Sequence, residues 1–253
     1  MSESESTSSS TENQNSNDGQ QGRQVAKRAF AAEINDSTHV FKQSDEERAP
    51  NFALLPSGEI ANRYFMVGTV TEVNDVGNDD EYWQARVVDP TGTVFVYAGQ
   101  YQPQAAAFLS SLEPPAYIAV TAKPSTFESE GETYISLRPE TITHVDNDTR
   151  DRWVAETIER TEARLDVYEQ GDSEFGAMAG EHYDADPDTY REAVNEARED
   201  LGMDVIPVAS DDSTADSDDM DDEHVEEDEG EDDERTAEEA EIAAAVANAD
   251  IEE

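Results

Sequence analysis

Residues 82–101, YWQARVVDPTGTVFVYAGQY, read as two strands of alternating large side chains joined at Asp89-Pro90-Thr91-Gly92. Pro presets φ at the second position of a tight turn and Gly is free to take positive φ, so the tetrapeptide predicts a hairpin. Working outward, Tyr64–Val73 (YFMVGTVTEV) reads as a strand, with Gly68 inside it marking a bulge or bend. The polar loop 74–81 connects it to the hairpin. Past the hairpin, Pro103–Leu112 is an Ala-rich helical segment stopped by Pro114-Pro115, and Ala116–Lys123 alternates as a fourth strand. After a loop over 124–132, Thr133–Arg138 with Ile142–Val145 predicts a fifth strand, broken at Pro139. Three strands, a short helix and two strands match a small five-stranded Greek-key barrel of the oligonucleotide-binding type. A β-sandwich of similar length does not usually place a helix between its third and fourth strands. The expected fold is therefore mainly β: a five-stranded OB-fold barrel over 63–147, with flanking segments.

Residues 1–22 are dominated by Ser, Glu, Asn and Gln and are expected to form a disordered leader. In the arm 23–62, Val25, Ala26, Ala29, Phe30 and Ile34 recur at near-helical spacing and predict a short amphipathic helix. An extended stretch with Val40, Phe41, Phe52, Leu54 and Leu55 follows, and so small an arm is expected to pack on the barrel. A helix capped by Asp148 is predicted over 148–170, with Trp153, Thr157, Ile158, Thr161, Leu165 and Tyr168 along one face. Trp153 on that face reads as core rather than ligand contact. Gly171–Gly180 reads as a linker, and Pro187–Leu201 as an acidic helix capped by Asp186. Residues 209–253 are expected to be a disordered acidic tail; near its end Thr236-Ala237-Glu238-Glu239 has the capping-box pattern for a short helix over 236–249.

The chain carries 62 Asp+Glu against 16 Lys+Arg, a net charge of -46. Tail acidity accounts for only part of this, since the middle of the chain is acidic too and Lys occurs only at 27, 42 and 123. Arg, Asp and Glu with little Lys is the coat expected in a salt-rich cytoplasm. The chain has no Cys, which excludes disulfides, cysteine nucleophiles and thiolate zinc sites. His39, His144, His182 and His224 lack ligand spacing, so no metal or other cofactor is expected. No apolar run long enough to span a membrane and no signal-peptide pattern occur, so the expected location is cytoplasmic. Acidic pairs are too abundant here to mark catalysis, and no phosphate loop or nucleophile–base arrangement is present, so the chain is not expected to be an enzyme or to take a small-molecule substrate.

Alternation assigns the hairpin's faces. Val94, Val96 and Ala98 belong inside, with Trp83, Ala85 and Val87 opposite them, which leaves Phe95 and Tyr97 outside with Tyr82, Gln84, Arg86 and Val88. The outer face of strands two and three, closed by the loop between strands four and five, is where this fold holds single strands. Candidate nucleic-acid-binding residues are Phe95, Tyr97 and Phe127 for stacking, with Arg86, Lys123 and Arg138 for phosphates or cation–π contact. The competing reading is that the outer aromatics pack against Phe30, Phe41 and Phe52 of the arm. In molar salt the Debye length is about 3 Å. Three phosphate contacts at a slope of roughly 0.7 each lose on the order of several hundred-fold in affinity between about 0.1 and 2 M salt. Stacking, worth about 1–3 kcal/mol per base, must then supply most of the binding.

The runs AKRAFAAEINDSTHVFK (26–42), ERAPNFALLPSGEIANR (47–63), EYWQARVVDPTGTVFVYAGQYQPQAA (81–106), PPAYIAV (114–120), RPETIT (138–143) and TRDRWVAET (149–157) resemble the haloarchaeal replication protein A-associated protein family. The resemblance covers roughly residues 23–170 and leaves the tail outside. It implies a cytoplasmic accessory factor working with replication protein A in replication and repair, and supplies no residue-level DNA site. The leading expectation is a non-enzymatic barrel that binds single-stranded DNA, directly or within a replication protein A complex. The alternative is a protein-interaction subunit that never touches DNA. The tail is expected to act as a tether or an anionic mimic of DNA, against the plainer role of a solvated solubility tail.

Overall fold

The structure, a computed structural model, describes residues 24–208 apart from 45–48, 79, 130 and 184–185. The expectations for the leader and the acidic tail lie outside the described residues. In chain order the elements are α1 (Ala31–Asp36), β1 (Val40–Lys42), β2 (Asn51–Leu54), β3 (Ile60–Ala61), β4 (Tyr64–Asp75), β5 (Trp83–Asp89) and β6 (Gly92–Ala98). There follow α2 (Pro103–Ser110), β7 (Ala116–Ser129), β8 (Glu132–His144), α3 (Asn147–Glu169), α4 (Gly176–His182) and α5 (Pro187–Asp200).

Strands β4-β5-β6-β8-β7 close into a barrel in that order, with α2 connecting β6 to β7, which is the five-stranded OB-fold. Alternation fills its interior: Ala85, Val87, Val94, Val96 and Ala98 of the hairpin meet Met66, Val70, Ile118, Val120 and Leu137 in one core. The turn forms as the sequence dictates, with Asp89 opposite Gly92 and Gly92 at φ +153°. Gly68 marks a close approach rather than a bulge. A Cβ there would lie 2.7 Å from the Val88 carbonyl oxygen, whereas the register shift of β4 against β5 falls between Val70 and Glu72.

Asp89 has a second task. Its carboxylate accepts from the Ala31 backbone N–H (2.7 Å) and from the N–H and hydroxyl of Thr91. It thereby caps α1, whose own N-cap residue, Phe30, offers no side-chain bond. Burial raises the Asp89 pKa to about 6, and the hydrogen bonds from Thr91 and Ala31 oppose that shift.

The arm differs from its sequence reading. Residues 24–30 are not helical. Lys27 pairs in parallel with Tyr64, donating to the Arg63 carbonyl (2.8 Å) and accepting from the Phe65 N–H (2.8 Å). The reason lies in β4: residues 64–68 pair with β7 on one side, whereas β5 pairs only from Thr69 onward, so the open edge takes up the arm. Strands β1-β2-β3 form a separate small sheet.

The fifth strand is likewise continuous rather than broken. The expected loop 124–132 is the far half of a long β7–β8 hairpin, paired from Ile118↔His144 to Ser129↔Glu132. Pro124 is tolerated because β7 pairs with β4 only as far as Ala122 and beyond it presents a free edge. Pro139 sits opposite Ala122, where the register shifts.

Helix α3 buries the face read from its sequence: Trp153, Thr157, Ile158, Thr161 and Leu165. Its cap is Asp146, which accepts from the Thr149 N–H at 2.9 Å, and not Asp148. Trp153 is core as expected. It donates from Nε1 to the Phe65 carbonyl (3.1 Å) and meets Phe30 edge-on at 5.6 Å. Helix α4 occupies part of the expected linker, and α5 is capped by Asp186 and tied to α3 by Arg191 to Asp166 and Glu169, Arg198 to Glu162, and Asp200 to Arg150. No described helix is long and apolar enough to cross a membrane.

Candidate nucleic-acid interface

Five aromatic side chains gather outside the barrel core. Tyr97 and Phe127 form a second buried cluster, with Tyr82, Phe95, Tyr134 and Val76 packed against it. The rings arrive from separate parts of the barrel: Phe95 and Tyr97 from β6, Tyr82 from the end of the β4–β5 loop, and Phe127 and Tyr134 from facing positions of the β7–β8 hairpin. Tyr82 stacks on Tyr97 at 5.7 Å between centroids, and Phe127 on Tyr134 at 5.6 Å. The cluster therefore lies where strands two and three of the barrel meet the loops after strands one and four, which is the ligand-bearing region of this fold.

Phe95 and Tyr97 do lie on the side of β6 away from the barrel core, but they differ in access. Phe95 is half-buried, while Tyr97 is fully buried and accepts a hydrogen bond from Gln84 Nε2 (2.7 Å) at its hydroxyl. Phe127 is 7% exposed. Tyr97 and Phe127 thus form the floor that holds Tyr82, Phe95 and Tyr134. The cover comes from the β7–β8 hairpin and not from the arm, whose Phe30 lies against Trp153 and whose Phe41 lies near Phe52 and Phe175. Trp83, assigned inward by alternation, does pack against the main core, though it stays half-buried.

The candidate cations fall into two places. Arg86 is directly opposite Phe95 on the neighbouring strand. Arg138 follows Leu137, which faces Val96, so it borders β6; Lys123 lies opposite Arg138 one strand further out, exposed and 3.8 Å from Glu140. Tyr82 and Tyr134 belong to the site although the selection from sequence omitted them. Tyr82 was legible as outward-facing, whereas the position of Tyr134 depended on recognising the hairpin.

Beside the aromatics is a cavity of about 800 Å³ whose walls include Thr93, Phe95, Phe127 and Tyr134 on one side and Asp36, His182, Tyr183 and Tyr190 on the other. Its far wall is held by side chains that bridge distant elements: Tyr190 donates to Asp36 (2.7 Å), and Tyr183 accepts from the His39 N–H (2.9 Å) and donates to the Leu54 carbonyl (2.8 Å). His39 stacks on His182 at 3.6 Å. Partial burial and the neighbouring His182 together push the His39 pKa below its ordinary value. Among the described residues the cavity lining contains no Lys or Arg and no cluster of ligands able to hold a metal ion. Its chemistry is that of an aromatic and hydrogen-bonding recess, suited to the flat face and polar edge of a base and not to a phosphate.

No protein-family model matches the chain, and no curated protein matches its sequence. Among solved structures the chain is similar to a chain of a replication protein A heterotrimer bound to single-stranded DNA, at 13% identity over 56% of this chain and 98% of that one, with a TM-score of 0.39. It is also similar to SSBb, the second single-stranded DNA-binding protein of Mycobacterium smegmatis, at 18% identity over 33% of this chain and 84% of that one, with a TM-score of 0.29. Rim1, a mitochondrial single-stranded DNA-binding protein of S. cerevisiae, aligns at 18% identity over 34% of this chain and 94% of that one, with a TM-score of 0.27. Likenesses of this degree say nothing about the site.

Proposed function

We propose that this chain is a non-enzymatic OB-fold module that binds single-stranded DNA on the outer face of β5 and β6, in a salt-rich cytoplasm. The observation that carries the reading is the convergence of Tyr82, Phe95 and Tyr134 on a buried floor of Tyr97 and Phe127, with Arg86 across from Phe95. Bases stack on the accessible rings and enter the neighbouring recess, while the backbone follows Arg86 and Arg138. Replication protein A, suggested by the resemblance of the sequence, is the proposed partner in replication and repair.

The test is the affinity of the full chain for labelled oligo(dT) in molar KCl. Phe95→Ala and Tyr82→Ala are each expected to weaken binding by between about 5-fold and 100-fold, the worth of one stacked base. Both leave the buried floor of the cluster intact, unlike Tyr97→Ala. Unchanged affinity in both variants sinks direct recognition by this face.

The mutual burial of Tyr97 and Phe127 favours one second reading, in which the cluster is a preformed protein interface on replication protein A and no DNA is touched. Absence of oligonucleotide binding by the chain alone, together with co-purification of replication protein A that Phe95→Ala abolishes, would select that reading.

A further inference from the structure

The recess of about 800 Å³ beside the aromatic cluster is one-sided in its hydrogen bonding. Side chains of its walls that could donate to a ligand are turned to acceptors of the protein. The hydroxyl of Tyr190 donates to Asp36 (2.7 Å), that of Tyr183 to the Leu54 carbonyl (2.8 Å), that of Tyr134 to Glu132 (3.2 Å) and that of Ser136 to the Ser125 carbonyl (3.3 Å). Asn35 gives its amide to the Thr93 carbonyl (2.9 Å). The groups that can only accept are in the opposite state. Asp36 and Asp186 both line the recess and both are exposed. A carboxylate offers about four lone-pair sites. Tyr190 occupies one on Asp36, and the Asp188 N–H (3.0 Å) occupies one on Asp186. The threonine hydroxyls and His182 can act in either sense, so the groups with a fixed sense set the balance, and they leave the recess rich in acceptors.

We propose that this recess reads a guanine of the bound strand through the Asp36 carboxylate. The inference rests on the reading of the outer face of β5 and β6 as a single-strand site, and adds a base preference to it. Asn35 is tied to Thr93, which lies on the same side of β6 as Phe95, so the end of α1 sets Asp36 beside the stacking rings. A base that leaves the stack on Phe95 therefore enters the recess with its polar edge toward Asp36.

The chemistry of that edge selects the base. Guanine alone among the bases of DNA carries two adjacent donors, N1–H and N2–H, on its pairing edge, and together they meet the two oxygens of a carboxylate. Cytosine and adenine place an acceptor nitrogen next to the amino group, and thymine flanks a single N–H with two carbonyls. Each of these three turns at least one lone pair toward the anion, with no neighbouring donor committed to relieve it. Single-stranded bases are open to this kind of reading because the pairing edge is exposed. The carboxylates also keep phosphate out, and the candidate cations Arg86 and Arg138 are not part of the lining. Molar salt shortens the reach of the acidic wall to about 3 Å, so it repels the approaching backbone weakly while a hydrogen bond in contact persists.

The test compares affinities of the full chain in molar KCl for oligo(dT) and for the same oligonucleotide with a single dG in its middle. The dG is expected to strengthen binding by about 5-fold or more, the worth of a bidentate pair. Hypoxanthine in place of that guanine, which lacks the N2 amino group, should lose most of the gain. Asp36→Asn keeps an oxygen for Tyr190 but replaces an acceptor with a donor, and should bring the affinities for the two oligonucleotides together. Equal affinities in the wild type, or a preference for dG that persists in Asp36→Asn, would overturn the inference and leave the stacking face standing. So would an equal gain from a single dC, because one amino group would then suffice. Failure to bind either oligonucleotide would instead overturn the single-strand reading on which the inference rests.

Discussion

Arg164→Met is expected to destabilise the fold by about 3–5 kcal/mol. Arg164 is 10% exposed and its partner Glu33 2% exposed. Its guanidinium donates to Glu33, to Thr161 Oγ1 (3.0 Å), to the Arg28 carbonyl (3.1 Å) and to Ser57 Oγ (3.3 Å). One side chain of α3 thus holds α1, the arm and the β2–β3 turn. Removing it strands the Glu33 carboxylate away from water, with the Ser57 hydroxyl as its remaining donor. Urea unfolding in molar KCl measures the loss, and salt should mask little of it, since buried pairs are poorly screened. Arg164→Met with Glu33→Leu should recover much of the stability, because replacing both charges leaves neither uncompensated. A loss under about 1 kcal/mol in Arg164→Met would mean that α1 is held by its apolar contacts and the Asp89 and Tyr190 hydrogen bonds without the ion pair.

Asp89→Ala is expected to cost about 2–4 kcal/mol, since it leaves the buried N–H of Ala31 and the N–H of Thr91 without their acceptor. The same carboxyl gives a pH dependence of unusual sign. Its pKa is about 6 in the fold against an ordinary 3.8, so between these values the native state holds a proton that the unfolded chain has already released. The stability linked to that proton is fully present below the unfolded value and is lost as pH rises through about 6. Measured against Asp89→Asn, which has no such proton, wild type should lose about 1 kcal/mol between roughly pH 5 and 7. A difference that stays constant or grows in wild type's favour over that range would show that the three hydrogen bonds outweigh burial.

Both effects show where the sequence could be read and where it could not. The barrel hairpin was legible because turn chemistry and alternation are local: Asp89-Pro90-Thr91-Gly92 sets the reversal, and Val94, Val96 and Ala98 set the inner face. Asp89 as the cap of α1 was not legible, because that bond joins residues 58 apart and nothing in the local pattern marks it. Alternation likewise gave the side on which Tyr97 lies but not what covers it. The cover is the β7–β8 hairpin, concealed by Pro124 and Pro139, which read as breaks unless one knows that β7 runs past the end of β4. The apolar spacing of residues 25–34 suggested a helix, but the vacant edge of β4 drew residues 24–28 into an extended conformation. Alternation put Arg86 and Phe95 on the outer face, and the register that the turn imposes sets them directly opposite each other.

On the proposed reading, stacking and not a cationic field holds single-stranded DNA on this barrel. It is tested most directly by the salt dependence of oligo(dT) affinity of the full chain. With about three phosphates engaged, the slope of log K against log [KCl] is expected to be about −2, with binding still measurable at about 2 M KCl. A slope of about −4 or steeper, with binding gone at about 2 M, would mean that six or more phosphate contacts carry the affinity, and would contradict the account.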